Sequence, residues 1–159
     1  FSVMRFPVKD GKELVLVNSH MSAYDEGGKI RVQQLELLNS VMAEEYEAGN
    51  YVIVGGDFNH AMGEAVAEGF ATEQKFPAWV SVLTSEELAD GIRMVRAENE
   101  LDVPTCRGAD IPYIKGVNYT TVVDGFLVSA NIRATAENID ADFAYSDHNP
   151  VKLTFELMD

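Results

Sequence analysis

Four short segments of the sequence carry side chains that can move protons or hold a metal ion. In chain order they contain His20, the pair Asp57 and Asn59, Asp124, and the pair Asp147 and His148. Two histidines are the usual means of general acid and base catalysis near neutral pH. A carboxylate inside an apolar strand, such as Asp124, is costly to desolvate unless it is paired, and an imidazole is its natural partner. Asp57 and Asn59 offer a carboxylate and a neutral amide on one side of an extended segment, which suits a bound water or a metal-bound phosphate.

Each of these motifs taken alone also has a structural explanation. Asp and Asn are common turn residues, a single histidine such as His20 is more often structural than catalytic, and residues 147–150 can form a simple turn. Their joint placement at strand ends favours a functional site but does not decide the matter. The sequence does not support a serine hydrolase, an NTPase or a zinc site, because it contains no GxSxG, P-loop, HExxH or CxxC motif.

The composition predicts one soluble globular domain. The chain has 159 residues, of which 47% are hydrophobic and 24% charged, enough for one domain and too few for two. No apolar run approaches the roughly 18–20 residues that span a bilayer. The single cysteine, Cys106, cannot form an internal disulfide. The cellular compartment is left open.

The charge balance is strongly acidic. Asp and Glu number 26 against 12 Lys and Arg, for a formal net charge of −14. Such a surface repels phosphate polyanions, because binding them requires Lys and Arg that displace condensed counterions. We therefore expect long DNA or RNA to be a poor partner for this chain alone, whereas divalent cations and small substrates are compatible with it.

A strand–helix–strand pattern precedes the first candidate residues. Residues 13–19 form a β-rich run that ends at His20. A helix is predicted over about residues 29–48, where apolar side chains recur at helical spacing at Leu35, Leu38, Met42 and Tyr46. The apolar run YVIVG then leads into GDFN. In α/β proteins, ligands bind at the carboxyl ends of such strands.

The elements that carry the later candidates are less regular. Thr84 and Glu87 form a capping-box pattern for a short helix. Strand character is found in residues 92–97, 120–129 and 151–157. Asp124 lies within the second of these strands and His148 precedes the third. The sequence contains no internal repeat, low-complexity tract or domain boundary.

Taken in order, the segments VNSHMSAYD, VGGDFN, VVDGFLVS and YSDHNPV resemble the C-terminal half of the endonuclease/exonuclease/phosphatase superfamily. This superfamily includes DNase I, apurinic endonucleases, sphingomyelinases and inositol-polyphosphate 5-phosphatases. GDFN and SDH are its most specific late motifs, and the resemblance runs from about Val15 to Phe155. It implies an α/β fold with a mixed, mainly antiparallel sheet flanked by helices, as one half of a four-layer α/β sandwich.

The resemblance also implies phosphoester hydrolysis with Mg²⁺ or Mn²⁺, by in-line attack of water on phosphorus. In this reading His148 matches the histidine that activates the water, and Asp124 the carboxylate that orients the imidazole. Asp57 helps to position the nucleophile, and Asn59 donates a hydrogen bond to a phosphoryl oxygen. His20 stabilises the phosphoryl group or protonates the leaving oxygen.

Four other residues receive briefer predictions. Asp147 is expected near the metal because the resemblance implies it. Arg107, in the loop PTCRGAD, suits bidentate phosphate recognition, although a surface arginine is the simpler interpretation. His60 is expected to be a solvated turn residue, and Trp79 an aromatic packing residue.

The N-terminal half of the superfamily pattern is not found in this sequence. That half supplies a strand-end Asn and the Glu of a QE motif, which is the principal metal ligand. We therefore expect residues 1–159 to be the C-terminal part of one such domain, which alone binds Mg²⁺ weakly and turns over little substrate. The sheet face that the other half would cover predicts self-association, for example as a homodimer.

Three functions stay open at this point. The first is a phosphoesterase that acts on a small phosphorylated molecule or a lipid headgroup, which the acidic surface favours. The second is a nuclease of the same superfamily. The third is a catalytically inactive binding or scaffold module, which the retention of five polar groups at such positions disfavours.

Overall fold

Strand pairing organises the chain around one twisted sheet. The computed structural model describes residues 1–68 and 70–158. Within these ranges the elements are β1 (Ser2–Pro7), β2 (Glu13–His20), α1 (Lys29–Glu47), β3 (Tyr51–Asp57), β4 (His60–Met62), β5 (Ser81–Leu83), β6 (Ile92–Val95), β7 (Cys106–Arg107), β8 (Thr120–Thr121), β9 (Asp124–Ser129), β10 (Ile132–Asn138) and β11 (Val151–Leu157). Short 3-10 turns lie at Lys9–Gly11, Glu64–Val66 and Ser85–Glu87.

The main sheet has the strand order β1-β2-β3-β9-β6. Strands β2 and β3 run parallel and are joined by α1, whereas the β1–β2, β3–β9 and β6–β9 pairs are antiparallel. The predicted mixed, mainly antiparallel sheet is therefore confirmed. Strands β10 and β11 form a separate antiparallel hairpin.

The two faces of the sheet are covered by different elements. On one face, Val15 and Val54 pack in a buried cluster with Leu38 and Met42 of α1. On the other face, Ile53 packs in a second cluster that includes side chains of the β10–β11 hairpin. The expectation of flanking helices thus holds for the first face, whereas in the described part of the chain a hairpin covers the second.

The edge strand β1 is solvent-exposed along its whole length. Arg5 forms ion pairs with Glu13 and with Glu45 of α1, so its side chain lies on the helix side. Met4 and Phe6, which alternate with it, point to the opposite side and are 51% and 46% exposed. This apolar strip is where the predicted homodimer contact would form, and that contact stays a prediction.

Several element boundaries follow the sequence closely. Helix α1 begins at Lys29, and the chain leaves the helix at Gly49, whose φ of 86° is in the left-handed region. The capping box of Thr84 and Glu87 is formed, on a 3-10 turn. Among the described residues, no helix is long and apolar enough to cross a membrane.

Candidate functional site

Three of the predicted site residues form a row across neighbouring strands. His20, the last residue of β2, pairs in register with Asp57 at the end of β3. Asp57 in turn pairs with Asp124, the first residue of β9. Residues directly opposite each other in a sheet point to the same face, so the three side chains lie side by side. The His20 Nε2 and Asp57 Oδ2 atoms are 3.4 Å apart.

Glycines before Asp57 let the strands come this close. A Cβ on Gly56 would lie 1.8 Å from the carbonyl oxygen of Ser19 in β2, and Gly56 has a φ of 148°. A Cβ on Gly55 would lie 3.0 Å from the ring of Phe126 in β9. Gly56 of the GGDFN motif is therefore required by the close approach of β3 to β2, whereas a side chain at Gly55 would press on the Phe126 ring.

His148 reaches the same row from the loop before β11. Its Nδ1 donates a hydrogen bond of 2.8 Å to Asp124 Oδ2, because an ionised carboxylate can only accept. Its Nε2 lies 3.9 Å from Asp57 Oδ2. The predicted pairing of Asp124 with His148, which are 24 positions apart, is thus present in the structure.

Two ionisation equilibria in the row are shifted. The hydrogen bond that His148 donates to Asp124 is the main cause that raises the pKa of His148 to about 11, against its ordinary 6.5. Burial, followed by the charge of Asp124, raises the pKa of Asp57 above its ordinary value of 3.8. Two carboxylates held this close repel each other, and an added cation relieves that repulsion.

Asn59 is held rigidly next to Asp57. Its backbone N–H donates to Asp57 Oδ1 at 2.7 Å, and its Nδ2 donates to Asp57 Oδ2 at 3.1 Å and to the Met21 carbonyl oxygen at 2.9 Å. Its φ of 48° is in the left-handed region, which Asn tolerates better than most residues. The predicted DxN pair therefore forms one unit in which the carboxylate orients the amide.

Thr105 connects the two chain segments that carry Asp124 and His148. Its fully buried hydroxyl oxygen accepts the backbone N–H groups of Val123 and Asp124, at 3.0 and 3.1 Å. Its carbonyl oxygen accepts the N–H of Asn149, next to His148, at 2.8 Å. Thr105 could not be predicted from the sequence, because a buried hydroxyl in an irregular loop has no periodic pattern that reveals it.

Arg31 of α1 is a second residue that was missed, and it has no exposed surface. Its guanidinium donates to the carbonyl oxygens of Asn59, at 2.7 Å, and Asp25, at 3.0 Å, and to that of Trp79. Burial lowers its pKa below the ordinary 12.5. The sequence did contain a signal: Arg31 lies one turn before Leu35 on the apolar stripe of α1, where a cation must have buried partners.

The row opens into a cleft of about 660 Å³. His20, Asp57, Asn59 and His148 line this cleft, and Asp124 lies behind His148. Further lining comes from Asp147, Arg107, Tyr24 and Trp79. The five predicted catalytic residues are therefore brought together.

Arg107 and His60 differ from their simplest interpretations. Arg107 is half-buried in the cleft wall rather than free on the surface, and its guanidinium donates to Gly108 O at 2.9 Å and lies over the Tyr113 ring. The prediction that His60 is a solvated turn residue is wrong. His60 is buried in β4, its Nδ1 lies 2.8 Å from the carbonyl oxygen of Phe58, and burial lowers its pKa below 6.5.

The cleft contains one group of side chains that suits a metal ion. Among the described residues, one ligand atom each from Asp57, Asp124 and His148 lie within 4.8 Å of one another. Carboxylate oxygens are the ligands that Mg²⁺ and Mn²⁺ prefer. Asp147, the predicted metal ligand, lines the same cleft but is not a member of this group. The donor set therefore fits a hard divalent cation held mainly by the two carboxylates.

Comparisons with known proteins identify the fold. No protein-family model and no curated protein matches this sequence. Solved structures do match: an AP endonuclease from Archaeoglobus fulgidus has a TM-score of 0.63 and 16% identity, covering 98% of this chain and 65% of that one. D. rerio TDP2, complexed with a single-strand DNA product, has a TM-score of 0.59 and 18% identity, covering 97% and 60%. An endonuclease/exonuclease/phosphatase family protein from Bacteroides thetaiotaomicron has a TM-score of 0.51 and 20% identity, covering 95% and 52%.

These matches bear on the predicted partners and on the fold. The chain spans between about half and two thirds of the length of the three proteins. The prediction that nucleic acid is a poor partner is not borne out, since one of them holds a DNA product and another is an AP endonuclease. Net charge is a sum over the whole chain and does not describe one cleft. The chain therefore shares the DNase I-like fold of these solved structures.

Proposed function

We propose that this chain carries a metal-dependent phosphoester hydrolase site. One observation carries the proposal: His20, Asp57 and Asp124 form a row at the strand ends, with His148 hydrogen-bonded to Asp124 at 2.8 Å, beside an open cleft. This arrangement provides a positioned base, fixed hydrogen-bond donors and a carboxylate pair for a cation. Those are the groups that hydrolysis at phosphorus requires.

The residues around Asp57 bind the cation and orient the attacking water and the phosphoryl group. A divalent cation, Mg²⁺ or Mn²⁺, held by Asp57 and Asp124 with Asp147 nearby would neutralise phosphoryl charge. Asp57 accepts a hydrogen bond from the attacking water. The Nδ2 of Asn59 donates to a phosphoryl oxygen in exchange for its 3.1 Å hydrogen bond to Asp57 Oδ2, while its bond to the Met21 carbonyl oxygen keeps the amide in place. His20 is exposed at the cleft mouth, where it donates to the phosphoryl group or to the leaving oxygen.

His148 is the proton acceptor in this proposal. Its Nδ1–H remains hydrogen-bonded to Asp124, so Nε2 is the atom that faces Asp57 and the cleft. The Asp124 carboxylate both fixes this orientation and stabilises the imidazolium that forms. Because the resting pKa of His148 is about 11, Nε2 must first lose a proton in the loaded site, which positive charge in the cleft favours.

Two substrate classes have support. A small phosphorylated molecule or a lipid headgroup is compatible with a cleft of about 660 Å³. The likeness to D. rerio TDP2 with its single-strand DNA product favours nucleic acid. Arg107 in the cleft wall supports either substrate, because a guanidinium recognises phosphate in both.

We also propose that residues 1–159 act as the C-terminal part of a larger domain. The matched solved structures extend beyond the region that this chain covers, by 35% to 48% of their length. A further acidic ligand from such a second half would complete the cation site. On its own, the chain is then expected to bind the cation weakly and to turn over little substrate.

Hydrolysis of bis-p-nitrophenyl phosphate with Mg²⁺, Mn²⁺ or chelator tests the proposal. We expect slow, cation-dependent release of p-nitrophenol that His148→Ala abolishes. Asp142→Asn is the matched control, because Asp142 is an exposed carboxylate that does not line the cleft. Binding of Mn²⁺, followed by its electron paramagnetic resonance signal, gives a readout that needs no turnover, and Asp57→Asn should weaken it. Turnover that survives His148→Ala, or Mn²⁺ binding that Asp57→Asn leaves unchanged, contradicts the proposal.

A further inference from the structure

Two aromatic side chains line the cleft beside the proposed phosphate-binding groups. Tyr24 and Trp79 contact each other edge to face, with ring centroids 5.6 Å apart and an interplanar angle of 64°. Trp79 is half-buried and packs against the core, as the sequence analysis expected. Tyr24 is 80% exposed, so core packing alone does not account for it.

The backbone that carries this pair is held in place from inside the protein. Tyr24 has a φ of 55°, in the left-handed region that non-glycine residues seldom adopt. The buried guanidinium of Arg31 donates to the carbonyl oxygen of Asp25, next to Tyr24, and to that of Trp79. One fully buried side chain thus fixes both loops, and through its hydrogen bond to Asn59 it ties them to the site. A surface that is rigid before the ligand arrives loses less entropy on binding.

The cleft has room for more than a phosphoryl group. Its volume of about 660 Å³ is within the usual range of small-molecule sites, roughly 300–1,000 Å³. The lining that accompanies the aromatic pair is mixed, with Arg107 and the carboxylate of Asp110 beside apolar groups such as Pro77 and Ala109. An open aromatic surface beside polar groups suits a planar ring with a polar edge better than a purely apolar group.

We propose that Tyr24 and Trp79 form a stacking subsite for a nucleobase next to the scissile phosphate. This inference rests on the proposed function, and it names the substrate as a nucleotide or a single-stranded nucleic acid. A base stacks through its π-face while its polar edge stays in contact with water and the cleft wall. The subsite therefore offsets the acidic net charge with an interaction that needs no added cations.

Trp79 provides the assay, because it is the single tryptophan of the chain. Its fluorescence is titrated with thymidine, thymidine 5′-phosphate, ribose 5-phosphate and phenyl phosphate. We expect both thymidine ligands to quench the emission saturably, while ribose 5-phosphate does not and phenyl phosphate binds more weakly. Tyr24→Ala should raise the dissociation constant for thymidine by about 5- to 100-fold, and Tyr24→Phe should restore it. Tyr145→Ala is the matched control, since Tyr145 is fully exposed and does not line the cleft.

Thymidine separates this inference from the proposed function. It has no phosphate, so its binding needs no cation, and it should quench equally in Mg²⁺ and in chelator. Saturable quenching together with turnover that survives His148→Ala, or with Mn²⁺ binding that Asp57→Asn leaves unchanged, would keep the subsite and reject the enzymatic proposal. The subsite is rejected if thymidine does not quench, if Tyr24→Ala binds as the wild type does, or if phenyl phosphate binds as tightly as thymidine 5′-phosphate.

Discussion

Replacing Thr105 with Val should both destabilise the protein and loosen its site. Valine has nearly the same shape but no hydroxyl, so the backbone N–H groups of Val123 and Asp124 lose their acceptor. Each buried N–H left without a partner costs about 1–3 kcal/mol. Allowing for the favourable removal of a buried hydroxyl, we expect a net loss of about 2–4 kcal/mol.

Thr105→Ser is the matched control for this prediction. Serine keeps the hydroxyl and removes only a buried methyl group, which costs about 1 kcal/mol. Urea unfolding of the three proteins therefore places Thr105→Ser between the wild type and Thr105→Val. The reasoning is refuted if Thr105→Val unfolds within about 0.5 kcal/mol of the wild type, or if serine is as harmful as valine.

The same variants also report on the site. Asp124 is the first residue of β9, and its backbone N–H is one of the two that lose their partner. We expect its carboxylate to shift relative to His148, so that the pKa of His148 in Thr105→Val falls from about 11 towards 6.5. Nuclear magnetic resonance titration of the imidazole measures this. Thr105→Ser should keep the raised value.

Three further predictions concern charge and association. Asp124→Asn should lower the pKa of His148, which is raised in the folded protein. The variant should therefore lose stability fully below pH 6.5, and this loss should vanish as the pH rises through about 11. Urea unfolding at several pH values measures the loss, and a loss that is equal below pH 6.5 and above pH 11 contradicts the ion pair. Burial lowers the pKa of His60, so the unfolded chain takes up a proton more readily than the folded one, and wild-type stability should fall as the pH drops below 6.5. His60→Gln should remove this pH dependence. Stability profiles that run parallel with pH in the two proteins would contradict the role of His60. Self-association through the exposed side of β1 should give a mass above that of one chain by light scattering, and Phe6→Glu should reduce it; a wild-type monomer at high concentration contradicts the prediction.

The sequence was sufficient for the parts of the fold that obey a local rule. Helix α1 has a helical apolar period and ends at Glu47, just before the left-handed Gly49, and β3 is a short apolar run between polar segments. The chemistry of an aspartate in a strand predicts that Asp124 has a partner, whereas the choice of His148 as that partner came from the family resemblance. These features depend on neighbours along the chain or on the chemistry of one residue.

The parts that were missed depend on contacts between distant segments. Strand β10, Ile132–Asn138, was not predicted, although it forms the hairpin that covers the second face. The single strand predicted over residues 120–129 is divided into β8 and β9. His60 is buried in β4, which pairs with β5, so that His60 lies opposite Ser81. None of these pairings leaves a short-range pattern in the sequence.

The row of His20, Asp57 and Asp124 also constrains how this protein can change over evolutionary time. Because the three residues are directly opposite one another, inserting or deleting a single residue inside β2, β3 or β9 would turn one member to the wrong face of the sheet. Changes of length are tolerated only in the connecting loops, whose growth leaves the strand ends in place. New specificities in descendants of this chain should therefore arise from loops of varying length around strands of constant length.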